Sequence, residues 1–179
     1  DIGQKLMAMN NLGDLFIIQD RWEEGLAVFE ELIPLSTSVG NIQVRGFGMI
    51  NSAFCLIHLN RFKGVEERIN EAYRCFSLLG HKRMVFATLG TWALLYDNKK
   101  DYTAARRYFK KAIEGYKSCD YLNHLPRIMF ENARMEERLG NRDIALDMYR
   151  EALRHAKNCD EGMWVEKLSK KVAEFEVTK

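Results

Sequence analysis

The feature that most constrains this chain is an internal period of 40 residues, carried by two stripes of side chains that keep step from end to end. One stripe reads Gly25, Phe29, Leu32, then Val65, Ile69, Ala72, then Ala105, Phe109, Ala112, then Ala145, Tyr149, Ala152. The spacing of four and then three puts each trio on one face of an α-helix. A second stripe lies upstream in every copy. It runs Met9, Leu12, Gly13, Phe16; Met49, Ser52, Ala53, Leu56; Leu89, Trp92, Ala93, Tyr96; and Met129, Asn132, Ala133, Glu136. Small residues let a neighbouring helix approach closely while the large ones fill the gap beside them, which suits antiparallel helix packing. Trp22, Phe62 and Tyr102 also keep register ahead of the first stripe, and Arg142 departs from it. Four ungapped copies specify a stacked array of helix pairs, since neither helix of a pair can bury its stripe alone.

The pattern therefore predicts an all-α fold: an α-solenoid, a right-handed superhelix of four helix hairpins with a C-terminal capping helix. It forms a single domain over 1–179, with repeats at about 2–40, 41–80, 81–120 and 121–160 and a cap at about 161–177. Helices are expected over about 2–19 and 22–38, 42–59 and 62–79, 82–98 and 102–118, 123–139 and 142–158, and 163–177. Asp20, Asp101 and Asn123 stand where an N-cap acceptor is needed. Gly40, Gly80 and Gly140 supply the turns. Pro34 removes a donor and crowds the carbonyl of Glu30, so a kink or early end is expected near Ile33. The best-formed second helix, from Asp101, turns Arg106, Arg107, Lys110 and Lys111 away from its apolar stripe and toward water. Lys167, Lys170, Lys171, Glu174 and Glu176 read as the solvent face of the ninth helix.

Composition excludes several functions. Lys and Arg number 27 against 25 Asp and Glu, a near balance that gives no obligatory nucleic-acid or membrane partner. No apolar run approaches the ~20 residues of a membrane span. Cys55, Cys75, Cys119 and Cys159 are too far apart in sequence for a zinc knuckle or redox pair and read as reduced thiols of a cytoplasmic protein. His58, Asp97 and Glu137 have no nucleophile, phosphate loop or metal spacing near them, so no enzyme activity, cofactor or metal is expected. The chain begins at Asp1 without methionine and reads as a piece of something longer.

These stripes resemble the tetratricopeptide repeat. Leu12-Gly13-Phe16 with Phe29, Trp92-Ala93-Tyr96 with Ala105, Phe109 and Ala112, and Ala133 with Ala145, Tyr149 and Ala152 carry the likeness. Ser52 and Val65 weaken the second copy, and the 40-residue period exceeds the family's usual ~34. The resemblance implies a protein-interaction scaffold or adaptor that holds a peptide or amphipathic helix in its concave face. The alternative it implies is the ligand- or peptide-sensing domain of a larger signalling ATPase or transcription regulator. It places the groove on the first helix of each repeat, at Asn10, Asn11, Asp14, Phe47, Ile50, Asn51, Phe54, Ile57, Leu94, Arg127, Phe130 and Arg134. Asn11 and Asn51 are amides able to read a peptide backbone. Phe47, Ile50 and Phe54 suit apolar anchors, and the arginines suit an acidic end. Self-association through the terminal helices is a further possibility, and nucleic acid and membrane are not expected partners.

Overall fold

The computed structural model describes residues 1–119 and 123–177. Helices account for nearly all of them: α1 Ile2–Ile18, α2 Trp22–Ser38, α3 Ile42–His58, α4 Val65–Leu78, α5 Lys82–Asn98, α6 Tyr102–Lys117, α7 Leu125–Arg138, α8 Arg142–Asn158 and α9 Gly162–Val177. Each packs on the next, so α1 to α8 form a run of antiparallel hairpins, and first helices α1, α3, α5 and α7 also touch one another in an inner layer. This is an α-solenoid of helical hairpins. The boundary between the third and fourth repeats, at 120 and 121, lies outside the described residues.

The turns explain the regularity. Asp20, Gly40, Asn60, Gly80, Lys100, Gly140 and Asp160 all have positive φ, one left-handed residue every twenty positions wherever the turn is described. After each of them the next amide reaches back five residues, as in Arg21 N to Phe16 O at 2.9 Å and Asp101 N to Tyr96 O at 3.0 Å. This satisfies carbonyls that the helix end leaves without partners.

The apolar stripes make the core. Phe29, Ile69, Phe109 and Tyr149 are buried, as are Leu32, Ala72, Ala112 and Ala152. At Gly13 an added Cβ would sit 2.3 Å from the Phe29 ring, so the first repeat needs glycine where Ala53, Ala93 and Ala133 suffice elsewhere.

Several expectations are corrected. Asp20 does not cap α2; it adopts the left-handed turn conformation, and the cap position falls to Arg21 without a side-chain hydrogen bond. Asn123 does not cap α7, whose cap position is His124. Helix α4 begins at Val65 and not Phe62, because Gly64 takes φ 76° just ahead of it, and Phe62 is left 41% exposed. Pro34 does not end α2, which continues to Ser38. Asp101 does cap α6, accepting from Ala104 N at 3.0 Å.

The basic face of α6 is not simply solvated. Arg106 makes a two-pronged contact, at 2.7 and 2.9 Å, with Glu136 of α7. Glu136 stands where the other repeats place Phe16, Leu56 and Tyr96, so an ion pair replaces an apolar contact at this junction. None of the four cysteines is in a disulfide among the described residues. Burial pushes Cys55 up to about 12, which keeps it protonated and unreactive.

Candidate functional site

The inner layer brings together polar residues from three first helices. Asn10 and Asp14 lie one turn apart on α1 and share a face. Asp14 accepts from Asn10 Nδ2 at 3.2 Å and from Asn51 Nδ2 of α3 at 3.0 Å. Arg127 of α7 donates to Asn51 Oδ1 at 3.2 Å and stands 3.8 Å from Asp14. Its guanidinium lies 4.8 Å from the centre of the Phe54 ring, a cation over an aromatic face. Arg127 is only 7% exposed, so this arrangement holds a buried cation with a carboxylate, an amide and a ring.

A second cluster adjoins it. His58 stacks on Trp22 at 4.0 Å and sits beside Phe54, with its Nε2 3.5 Å from Glu131 Oε1. Arg134 reaches the same carboxylate at 3.6 Å. Asp97 of α5 pairs with Arg138. Three buried atoms here lack a hydrogen bond: Asn10 Oδ1, His58 Nε2 and Glu131 Oε2.

The charge states follow from burial and neighbours. Burial raises the Asp14 carboxyl above the usual range against the pull of Arg127 and Asn10. Burial also favours the neutral form of Glu131, but His58, Arg134 and Lys167 outweigh it and hold the group below its ordinary value. His124 is pushed down to about 3 by burial and by Arg127 and Arg83, so its imidazole is neutral.

The two ends of the array meet. Lys167 of α9 donates to the Ile18 carbonyl at 2.9 Å and to Asp20 at 2.8 Å, placing a cation at the negative end of α1. Lys171 bonds Glu137 of α7 at 2.9 Å. Lys167 therefore does not lie on a solvent face; it closes a seam between α1 and α9. Beside that seam is an open cleft of about 600 Å³, with Ile18, Phe130 and Met163 on its apolar part and Arg134, Lys167, Lys170 and Lys171 among its charged lining.

The expected groove residues divide by place. Asn10, Asp14, Asn51, Phe54 and Arg127 come together in the network, and Phe130 and Arg134 line the seam cleft. Ile50, Ile57 and Leu94 are buried among neighbouring helices and offer no free surface. Phe47 packs on Phe76 of its own hairpin at 5.5 Å. Asn11 is exposed and outside the network. The sequence reading missed His124, Glu131 and Met163, whose positions break the repeat pattern. It misplaced Lys167, since a lysine in an amphipathic cap carries no mark of a contact made 147 residues away.

No helix among the described residues is long and apolar enough to cross a membrane, and no group of His, Cys, Asp or Glu there could hold a metal ion. Helical hairpins stacked on alternating small and aromatic stripes define a class of repeat protein. The family model described as Tetratricopeptide repeat matches residues 90–114, from the second half of α5 into α6, so the chain contains a tetratricopeptide repeat. Such repeats are protein-interaction modules. No curated protein matches the chain.

Proposed function

We propose that this chain is a scaffold or adaptor domain that holds a segment of a protein partner at the mouth of its inner face, in the cleft between α1, α7 and α9. The observation that carries this reading is the composition of that cleft: apolar surface from Phe130 and Met163 beside the cations Arg134, Lys167, Lys170 and Lys171, which outnumber the carboxylates Asp20, Glu166 and Glu174 there. A segment with an apolar anchor followed by acidic residues complements both parts. Deeper on the inner face, Asn51, Phe54 and Arg127 already satisfy one another, so the partner meets the rim and not the network. Selection from a displayed peptide library tests this. Enriched peptides should combine an apolar residue with a carboxylate, and Arg134→Glu with Lys170→Glu should weaken them at least about tenfold. Peptides without acidic character, or equal binding to the double variant, would sink the proposal.

A sensing role is favoured by a different observation. A smaller cavity of about 160 Å³, lined by Asp14, His124, Arg127, Glu161 and Trp164, lies where α1, α7 and α9 converge. A small ligand there would bear on the same contacts that join the two ends of the array. Such a ligand should raise the melting temperature of the protein and lose that effect in Arg127→Met.

A further inference from the structure

The cavity of about 160 Å³ where α1, α7 and α9 converge is lined by both signs of charge. Asp14 of α1 and Glu161, just ahead of α9, bring carboxylates to it, and Arg127 of α7 brings a guanidinium. Trp164 and Ile17, both buried, give it apolar walls. His124 adds no third charge, since burial and the nearby Arg127 and Arg83 keep its imidazole neutral.

The two signs do not satisfy each other. Arg127 stands 3.8 Å from Asp14 Oδ1, beyond hydrogen-bond reach. A guanidinium carries more N–H groups than one acceptor can take, and among the described residues the acceptor on Arg127 is Asn51 Oδ1. The Phe54 ring attracts its charge but does not replace an oxygen acceptor. Each Asp14 oxygen accepts one side-chain amide, from Asn10 or Asn51, which leaves lone pairs on both. Burial, and then the like charge of Asp14, raise the Glu161 carboxyl above its ordinary range. The two carboxyls therefore feel one another across the cavity, and no cation of the described residues offsets that effect on Glu161. Incompletely paired charges are costly in a place shielded from water. The carboxyl pair draws a cation, and the spare donors of Arg127 draw an anion.

We infer that this cavity binds a small free amino acid as its zwitterion, a molecule that carries both charges side by side. Its ammonium lies between Asp14 and Glu161, and its carboxylate accepts from Arg127. The volume sets the size: about 160 Å³ is roughly five times the share of one water in the liquid, which suits the about five to seven heavy atoms of glycine, alanine or serine and excludes a peptide. A simple carboxylic acid would meet Asp14 and Glu161 with a like charge, and a simple amine would leave the donors of Arg127 unused. The inference rests on the sensing reading of this cavity and gives its ligand a chemical class. Because Asp14, Arg127 and Trp164 stand on the first, seventh and ninth helices, an occupied cavity ties the two ends of the array together. The cations Arg134 and Lys170 of the seam cleft do not line it.

Calorimetric titration with L-alanine tests this, beside propionate, which is alanine without its ammonium, and ethylamine, which is alanine without its carboxylate. Alanine should bind saturably and raise the melting temperature, and the other two should bind at least about tenfold more weakly. Trialanine and phenylalanine, too large for the space, should not compete. Glu161→Gln, an isosteric change at a half-buried position, should weaken alanine at least about tenfold, with circular dichroism to check that the fold survives. Arg134→Glu with Lys170→Glu should leave alanine binding unchanged. Propionate that binds as tightly as alanine, alanine binding that Glu161→Gln leaves intact, or no binding of alanine, glycine or serine overturns the inference. A thermal-shift screen of a broad metabolite panel separates that failure from failure of the sensing reading. A stabilising ligand of another class, lost in Arg127→Met, overturns the amino acid and keeps the sensor, whereas a screen without any such ligand removes both.

Discussion

The outer and inner layers of this molecule obey different rules. On the second helices the same chemistry recurs at each step, with Phe29, Ile69, Phe109 and Tyr149 buried at one level and Leu32, Ala72, Ala112 and Ala152 at the next. On the first helices the positions turned inward recur only in part, as Asn11 with Asn51 and Ile17 with Ile57. Asn10, Ile50, Gly90 and Phe130 share a register, as do Asp14, Phe54, Leu94 and Arg134, and no two residues of either set are alike. Repetition in the outer layer sets the spacing of the stack. Variety in the inner layer gives each repeat an individual partner, and the Asp14, Asn51 and Arg127 network can form at only one place.

Substitutions at three positions test that division, in order of effect. Phe109→Ala removes a buried ring from the regular layer and should cost about 3–5 kcal/mol in urea unfolding. If it costs less than any inner-layer change, the stack is not held by its repeated stripe. Arg127→Ala strands Asp14 and should cost about 3 kcal/mol, whereas Arg127→Met fills the space beside Phe54 and should cost roughly a third of that. Equal losses in the two variants would show that the network contributes packing and not charge pairing. Smallest is the turn at Lys100, whose φ of 62° is costly for a side chain of that kind. Lys100→Gly should gain up to about 1 kcal/mol and raise the melting temperature by roughly 2–4 °C. An unchanged or lower melting temperature would mean that the Lys99 to Glu66 contact beside it depends on the present turn.

Much of the fold is legible in the chain, because hairpin stacking is written in local terms. The spacing of Ala105, Phe109 and Ala112 gives a helix face, and Gly40, Gly80 and Gly140 mark reversals. The exceptions are also local: Gly64 delays α4, and a left-handed Asp20 cannot serve as a cap. The site is less legible for a physical reason. Asn10, Asp14, Asn51, Phe54 and Arg127 can each be assigned to the inner side from register alone. That Arg127 would reach Asp14 depends on the summed rotation from one repeat to the next, which no single stretch encodes. Lys167 is the extreme case, since its partners Ile18 and Asp20 lie at the other end of the chain.

That lysine changes what it means for a helix to be terminal. In an open stack the first and last units have one neighbour each, so melting starts at the ends and moves inward at small cost per step. Here α9 holds the last turn of α1 and the Asp20 turn after it, while Lys171 holds α7. Neither end can peel away without releasing the other, so disorder at one terminus is felt at the opposite one. The array behaves less as a row with two loose edges than as a belt with a buckle, and the buckle is a single ammonium group.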